Sequence, residues 1–484
     1  MKRNKQTGSA LIFALILLLV LSAMAGSLTF LSNSETYSSM NYRTMTQARY
    51  GAEAGVHAAA NFIMNTYVPP AAPPGANFPG FIVTTYPVTD AGGVNAIFLS
   101  TLSTQPANYP DQAQQAAFAN AMSANQPLQA GANTVNYSAS AQLMSMVSIL
   151  PFGTTTPVTV QTWQITAHGD VANVQNGEAE VVTTLERYIS PAFAYAAFAD
   201  ANGCAALSFT GNGTTDSYDS GALPVIGGVV SAPASFNSYG GNVGTNGNET
   251  NNGANPTING TLSTPNAGFG VCAAGNVTAF SGKSLNQITG GLIQLPQSVS
   301  FPTPTIPAPG TTNVSNTATL APGNYGDINL SGNDVVTLSP GVYNVNSISI
   351  TGNAQLVVAP YPAGSPNAGQ YGPIILNVAG NSNATPIDLE GNGISNPTYN
   401  PGDLQILYAG TGTIKIAGNG ASAAVVYAPN ATADFKGNSS FYGSVIANQL
   451  TDVGNGAIHY DMKLKKEMFT IGDYMLNSFT WNKY

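Results

Sequence analysis

Charge is what this chain has least of. Only 7% of its 484 residues are Asp, Glu, Lys or Arg, against about 25% in ordinary soluble proteins, so Asn, Ser, Thr and the backbone must carry its solubility. Thirteen basic residues face 22 acidic ones, and no basic patch exists to neutralise phosphates, which argues against nucleic acid as a partner. Arginine is absent after Arg187. The three histidines, His57, His168 and His459, lie far apart and offer neither metal-ligand nor triad spacing. No cofactor or metal is expected. Cysteine occurs twice, at Cys204 and Cys272.

Apolar residues, by contrast, are concentrated at the start. Lys2, Arg3 and Lys5 lead to Gly8 and Ser9, and no charge follows until Glu35. Ser9 to Leu31 at about 1.5 Å per residue spans about 34 Å, enough to cross a bilayer. The basic side stays in the cytoplasm by the positive-inside bias, which places everything beyond Glu35 outside. Residues 32–65 hold no proline, and Met45, Ala48, Ala52, Val56, Ala59 and Ile63 recur at steps of three and four, the spacing of one helical face. The reading is a single helix from Ser9 to about Asn65, stopped near Thr66 by Tyr67, Val68, Pro69 and Pro70.

The polar site ahead of the apolar stretch reverses the order of an ordinary secretory signal. The basic leader with Gly8, the long apolar helix and ARYGAEAG at 48–55 resemble the amino-terminal region of type IV pilins and pseudopilins, most closely the PilX-like minor pilins. The resemblance covers roughly the first 65 residues. It implies a class III (prepilin) signal cut between Gly8 and Ser9 by a prepilin peptidase, N-methylation of Ser9, and a helix that waits in the inner membrane or packs with other pilins into a filament. One departure matters. Major pilins of this family carry a glutamate five residues into the mature chain, where this sequence has Phe13. An incoming ammonium group would be buried there without a partner, a costly arrangement. The resemblance therefore leans toward a tip or initiating subunit. The plainer alternative is an uncleaved signal anchor.

Residues 66–80 form a proline-rich connector. Beyond it, 110–126 has helical composition with Asp111 as an early acidic residue, while Val135 to Leu150 and Val158 to Ala167 read as strands. Asn176-Gly177 predicts a type I′ hairpin turn. Residues 81–200 are thus expected to form a small α/β layer with an antiparallel sheet against the outer half of the helix.

After Cys204 a repeat emerges. Leu320-Ala-Pro-Gly-Asn-Tyr325 returns as Leu338-Ser-Pro-Gly-Val-Tyr343, and Gly-Asn pairs begin at 332, 352, 418, 437 and 454. Short alternating strands between such corners suit a parallel β-helix that buries Ile348, Ile350, Leu356 and Val358, with Asn ladders at its corners. Like charges would stack directly over one another, which explains their rarity. Residues 427–461 also look like the end of β-helical domains on bacterial envelope proteins. The expected fold is α+β: leader 1–8, helix 9–66, linker and pilin-like head 67–200, a right-handed parallel β-helix over 201–461, and a cap over 462–484 that covers open strand edges and whose Lys463, Lys465 and Lys466 are solvated.

Insertions at 237–257, 294–313, 359–373 and 388–402 would project from the coils, as inert connection or as binding loops. Tyr361, Tyr371 and Tyr399 are the candidates for contact with a surface glycan. Parallel β-helices also include polysaccharide lyases and hydrolases, which need clustered carboxylates and a basic residue. Here Asp327, Asp334, Asp388, Glu390, Asp403, Asp434 and Asp452 read as scattered and Lys283, Lys415 and Lys436 as standing alone. Asp216-Ser-Tyr-Asp219 is either a calcium turn or a structural one. In the oxidising exported location Cys204 and Cys272 either form a disulfide or remain two buried thiols. The sequence thus points to a non-enzymatic minor pilin of a type IV pilus or related filament, held in the inner membrane by one span before assembly and then displayed at the pilus or cell surface for adhesion. The alternatives are a type II secretion pseudopilin and a membrane-tethered polysaccharide-acting enzyme.

Overall fold

The computed structural model describes residues 9–71, 77–174, 177–253, 255–390, 392–416, 422–437 and 440–483. Its chain divides into two units: Met1–Ser148, Val158–Tyr188 and Gly472–Tyr484 form the first, Ile149–Pro157 and Ile189–Ile471 the second.

In the first unit a single helix, α1, runs Ser9–Asn65. It ends where Thr66 and Tyr67 both donate to the Phe62 carbonyl, just before Pro69 and Pro70 remove the next donors. Its outer half buries Ala48, Gly51, Ala52, Gly55, Val56, Ala59, Phe62 and Ile63. The face that packs includes the expected residues except Met45, and it adds glycines that periodicity does not reveal. A Cβ on Gly169 would lie 2.1 Å from the Ala48 carbonyl oxygen, and one on Gly51 would lie 2.5 Å from Val135. Helix and sheet therefore meet backbone to backbone, which explains the glycines of ARYGAEAG in physical terms.

The sheet beneath orders its strands Phe98–Ser100, Asn133–Ile149, Val158–Val171, Glu178–Pro191 and Phe469–Lys483, with Leu128–Ala130 also on Asn133–Ile149. Trp163, Tyr67, Tyr109, Phe62 and Phe118 fill the space between helix and sheet. Asp111 is the N-cap of a second helix, α2 (Gln112–Ser123), and accepts from Ala113 N at 2.8 Å. The expected turn at Asn176-Gly177 falls partly outside the described residues, which do not include Asn176; among those described, Val171 N donates to the Gly177 carbonyl and Asn173 is left-handed at φ 62°. The expected cap also requires correction. Phe469–Lys483 adds a strand to this sheet, where Asn477 O accepts from Thr183 and the Arg187 guanidinium lies 5.1 Å from the Tyr474 ring centroid.

The second unit is built from parallel strands in long registers. One column runs Asn324, Asn344, Asn377, Leu407, Tyr427, Ile446, Phe198, Gly244, Ser263 and Ile293, each paired with the next. An inward column runs Ile328, Ile348, Ile387, Ile414, Ala433, Leu450, Leu207, Glu249 and Phe280. Where the chain has no insertion, the step is 20 residues (Asn324 to Asn344, Leu407 to Tyr427) or 19 (Tyr427 to Ile446). The hexapeptide repeat misleads in one respect: Leu320 pairs Leu338, but Gly323 pairs Tyr343 rather than Gly341. Both tyrosines keep the same local bond, Tyr325 to the Ala321 carbonyl and Tyr343 to the Ser339 carbonyl.

The order of the passes is not the order of the chain. Ala197–Ala199 sits between Val445–Ala447 and Val243–Thr245, so the first passes stack on the last one. Parallel passes do fill 201–461, but they do not stack in chain order. At this seam the corners are glycine on glycine: a Cβ on Gly211 would meet the Gly454 carbonyl oxygen at 1.6 Å.

The stack therefore ends at Leu292–Gln294 and at Gly323–Asn324, which are close in sequence. The segment between them has to traverse the whole stack. Nine steps at about 4.8 Å make about 43 Å, and Leu295 to Thr312 in polyproline conformation reaches about 50 Å. Its contacts follow that path: Val299 exchanges bonds with Asn246, Phe301 lies 4.8 Å from Phe198, the Pro302 carbonyl accepts from Tyr427, and the Thr312 carbonyl accepts from Gly326 N. The expected projecting insertion at 294–313 is instead a strap laid over the outward column.

Gly169→Ala is expected to destabilise the first unit by about 1–3 kcal/mol, the usual cost of overpacking a tight contact. Thermal unfolding of the detergent-solubilised protein measures it, with Gly26→Ala, whose added Cβ meets nothing within 4 Å, as the control.

Candidate functional site

The inner half of α1 is apolar on every side. Its 18-residue window reaches a mean hydropathy of 2.7 with none of it buried, and the large apolar residues from Leu11 to Leu31 are 41 to 75% exposed. Ser22, Ser27 and Thr29 return their hydroxyls to carbonyls four residues back, so even the polar groups here need no water. A helix apolar all round requires lipid or other helices around it. Ser9 is its first residue, Phe13 is 71% exposed, and Gly8 lies outside the described residues.

The other sequence candidates are dispersed over the second unit. Tyr361 and Tyr371 share the 359–373 insertion, whose ends close through Tyr361 N to the Gln370 carbonyl; Tyr371 is exposed. Tyr399 belongs to a different loop and packs edge-on against Tyr442 at 5.2 Å. Cys204 and Cys272 are bonded, with Cα atoms 5.7 Å apart. They lie in loops after Ala197–Ala199 and Leu262–Thr264, so the bond passes over the intervening Val243–Thr245 pass. Asp216 and Asp219 take different partners: Asp216 bonds His459 Nδ1, while Asp219 accepts from Gly221 N.

Two groupings escape sequence inspection because they form only across passes. His459 pairs Asp216 and Tyr442 in register, and Phe236 lies flat on its ring at 3.7 Å. At 4% exposure this histidine fastens a loop and has no access to a polymer. Lys415 does not stand alone. Register places it beside Asp388, its ammonium 2.8 Å from that carboxylate and 3.5 Å from Glu390. Asp434 follows in the same column, and Lys436 lies 3.9 Å from it. Alternating signs down the column turn the like-charge problem of stacking into attraction.

The interior carries acids as well. Glu249 occupies the inward isoleucine and leucine column and is fully buried; Asp452, 1% exposed, lies between Phe435 and Phe209 in the adjacent column. Neither carboxyl has a hydrogen-bond partner among the described residues. Desolvation pushes Asp452 up to about 7 and raises Glu249 well above the usual carboxylate range.

Comparison with known families fits the helix. A family model described as PilX N-terminal matches residues 7–57. The amino-terminal segment of the chain is thus PilX-like and type IV pilin-like. A second model, a domain of unknown function (DUF7305), matches residues 309–467, from the end of the strap to just past the last pass. Among solved structures, the competence-associated pilin ComZ from Thermus thermophilus is similar at 13% identity, over 91% of this chain and 97% of that one, with a TM-score of 0.28. No curated protein sequence matches. The PilX-like minor-pilin type agrees with a helix that must be surrounded by lipid or by other helices.

An acid whose folded pKa is raised stabilises the fold only while protonated. Stability is therefore expected to fall as pH rises from about 4, the unfolded value, through about 7 for Asp452. Asp452→Asn should flatten that part of the profile and raise the melting temperature at pH 8 but not at pH 4. Melts across this range check it.

Proposed function

We propose that the protein is a minor pilin of a type IV pilus or related filament, placed at or near the tip or acting in initiation, and that its second unit is a right-handed parallel β-helix displayed for surface adhesion. The observation that carries the reading is α1 itself: an uncharged exposed half continuous with a half packed on a folded sheet. Prepilin peptidase would cut between Gly8 and Ser9 and the new amino terminus would be methylated. The helix would then hold the protein in the inner membrane until it packs among other pilins. With Phe13 in place of a carboxylate, it does not neutralise an incoming amino terminus, which favours a position where the filament begins. The 20-residue parallel registers support the β-helix, right-handed as such crossovers are. Tyr361 and Tyr371, on their outward insertion, are the proposed glycan contacts.

The Asp388, Lys415 and Glu390 cluster gives a glycan-acting enzyme its best footing. Depolymerisation of a glycan panel by the intact protein, lost in Asp388→Asn, would favour that reading over adhesion.

Processing is expected to leave Ser9 as the amino-terminal residue, and Gly8→Val to retain Met1 or its successor; amino-terminal sequencing of the membrane fraction decides it. The disulfide is expected to contribute roughly 4 kcal/mol in the chain-entropy model. Reduction or Cys272→Ser should lower the melting temperature of the second unit, whereas free thiols in the native protein by mass spectrometry would refute the bond.

A further inference from the structure

Between Asp219 and Asn242 the chain leaves the stack and forms a separate two-stranded ribbon, Val225–Ile226 paired antiparallel with Val229–Val230. Gly227 and Gly228 turn it, at φ 62° and 84°, the left-handed pair of a type I′ hairpin. Ser231 N closes its base on the Pro224 carbonyl at 2.9 Å. Every side chain of the ribbon is a valine or isoleucine, and Val225, Ile226 and Val229 are 63, 71 and 63% exposed. A short ribbon normally buries one face. This one leaves Val225, Ile226 and Val229 open and only half-buries Val230.

We infer that this hairpin is a prong that inserts into an uncharged lipid surface, one of zwitterionic headgroups. Its exposed apolar area, on the order of 300 Å², falls well short of the roughly 800 Å² per partner that a stable protein interface buries, so a second copy is not its natural occupant. A medium that surrounds both faces of the ribbon fits better, and the interface of a bilayer does so. Charge selects the headgroup. From Tyr188 to Gly282 the chain has no Lys or Arg, Asp219 and Lys463 offset one another at the ribbon's base beside Gly221, and the chain as a whole carries a formal net charge of -9, so nothing favours anionic lipid. Tyr239, 61% exposed, and Phe236, 37% exposed, follow in the same segment and have the chemistry of the headgroup level. The inference deepens the adhesive reading, on which its biological use rests, yet it fails separately from processing at Gly8.

The test uses the full chain with α1 sequestered in nanodiscs and sucrose-loaded phosphatidylcholine vesicles as the probe. Particles are expected to sediment with these vesicles, at least tenfold less after Val225→Ser, Ile226→Ser and Val229→Ser together, and less when phosphatidylserine is added. Circular dichroism and the melting temperature confirm that the variant is folded. Equal sedimentation of the variant, binding restricted to anionic vesicles, or association of particles with one another without vesicles would each overturn the inference.

Discussion

The second unit depends on one contact: Ala197–Ala199 lying between Val445–Ala447 and Val243–Thr245. Because the earliest passes dock on the last, neither terminus of the unit is an end of the stack. Both true ends fall next to each other in sequence, at Leu292–Gln294 and Gly323–Asn324, which forces the intervening chain to run the full length as a strap. The five prolines of 295–312 suit that task. They hold the segment extended at little entropic cost and lack donors that would otherwise need partners. The strap in turn covers Phe198 and Tyr427, which face outward and would otherwise be wetted.

The same contact explains where the disulfide and the buried acids fall. Cys204 and Cys272 flank the passes nearest the seam, the region whose neighbours are remote in sequence and whose closure costs most chain entropy. Glu249 and Asp452 lie within two passes of it, on opposite sides. Apolar side chains in those positions would strengthen the seam; unpartnered carboxyls weaken it as they ionise. The joint that ionisation of these two acids weakens thus lies where the non-sequential passes meet, and the covalent bond is placed beside it.

How much of this was legible follows from the range of each interaction. The end of α1 is written locally in Tyr67 to Pro70, and its packed face in the spacing of Ala48, Ala52, Val56, Ala59 and Ile63. The inward set at 348–358 is equally plain from alternation. Seam and strap are not local. A repeat reports what resembles what, and the pairing of 197 with 445 leaves no period to read. One signal was present: Gly211-Asn212-Gly213 matches Gly454-Asn455-Gly456, and these corners do stack, with Asn212 bonded to Asn455 at 2.8 Å. The strand Phe469–Lys483 was hidden for a related reason. Its residues favour strand, but nothing within the segment names the sheet it joins. Among the site candidates, residues that share a loop, such as Tyr361 and Tyr371, were readable, whereas Asp388 with Lys415 requires knowing the register across an insertion.

Scarcity of charge can now be understood as a condition of the architecture. With strands about 4.8 Å apart, any outward position has an equivalent neighbour above and below, so a lone charge is tolerable, a repeated one is repulsive, and an alternating one attracts. The chain uses each solution in turn. Asn324, Asn344 and Asn377 form a neutral ladder with amide bonds of 2.7 and 2.9 Å; Asp388, Lys415 and Asp434 alternate and are followed in the same column by the uncharged Thr451, Ser208 and Thr250. A surface so constrained has little long-range field with which to attract a charged partner. What it does offer at short range are uncharged features, namely the amide ladder, the tyrosines of 359–373 and the apolar ribbon at 225–230. Any recognition by this unit would therefore rest on shape and contact rather than on charge.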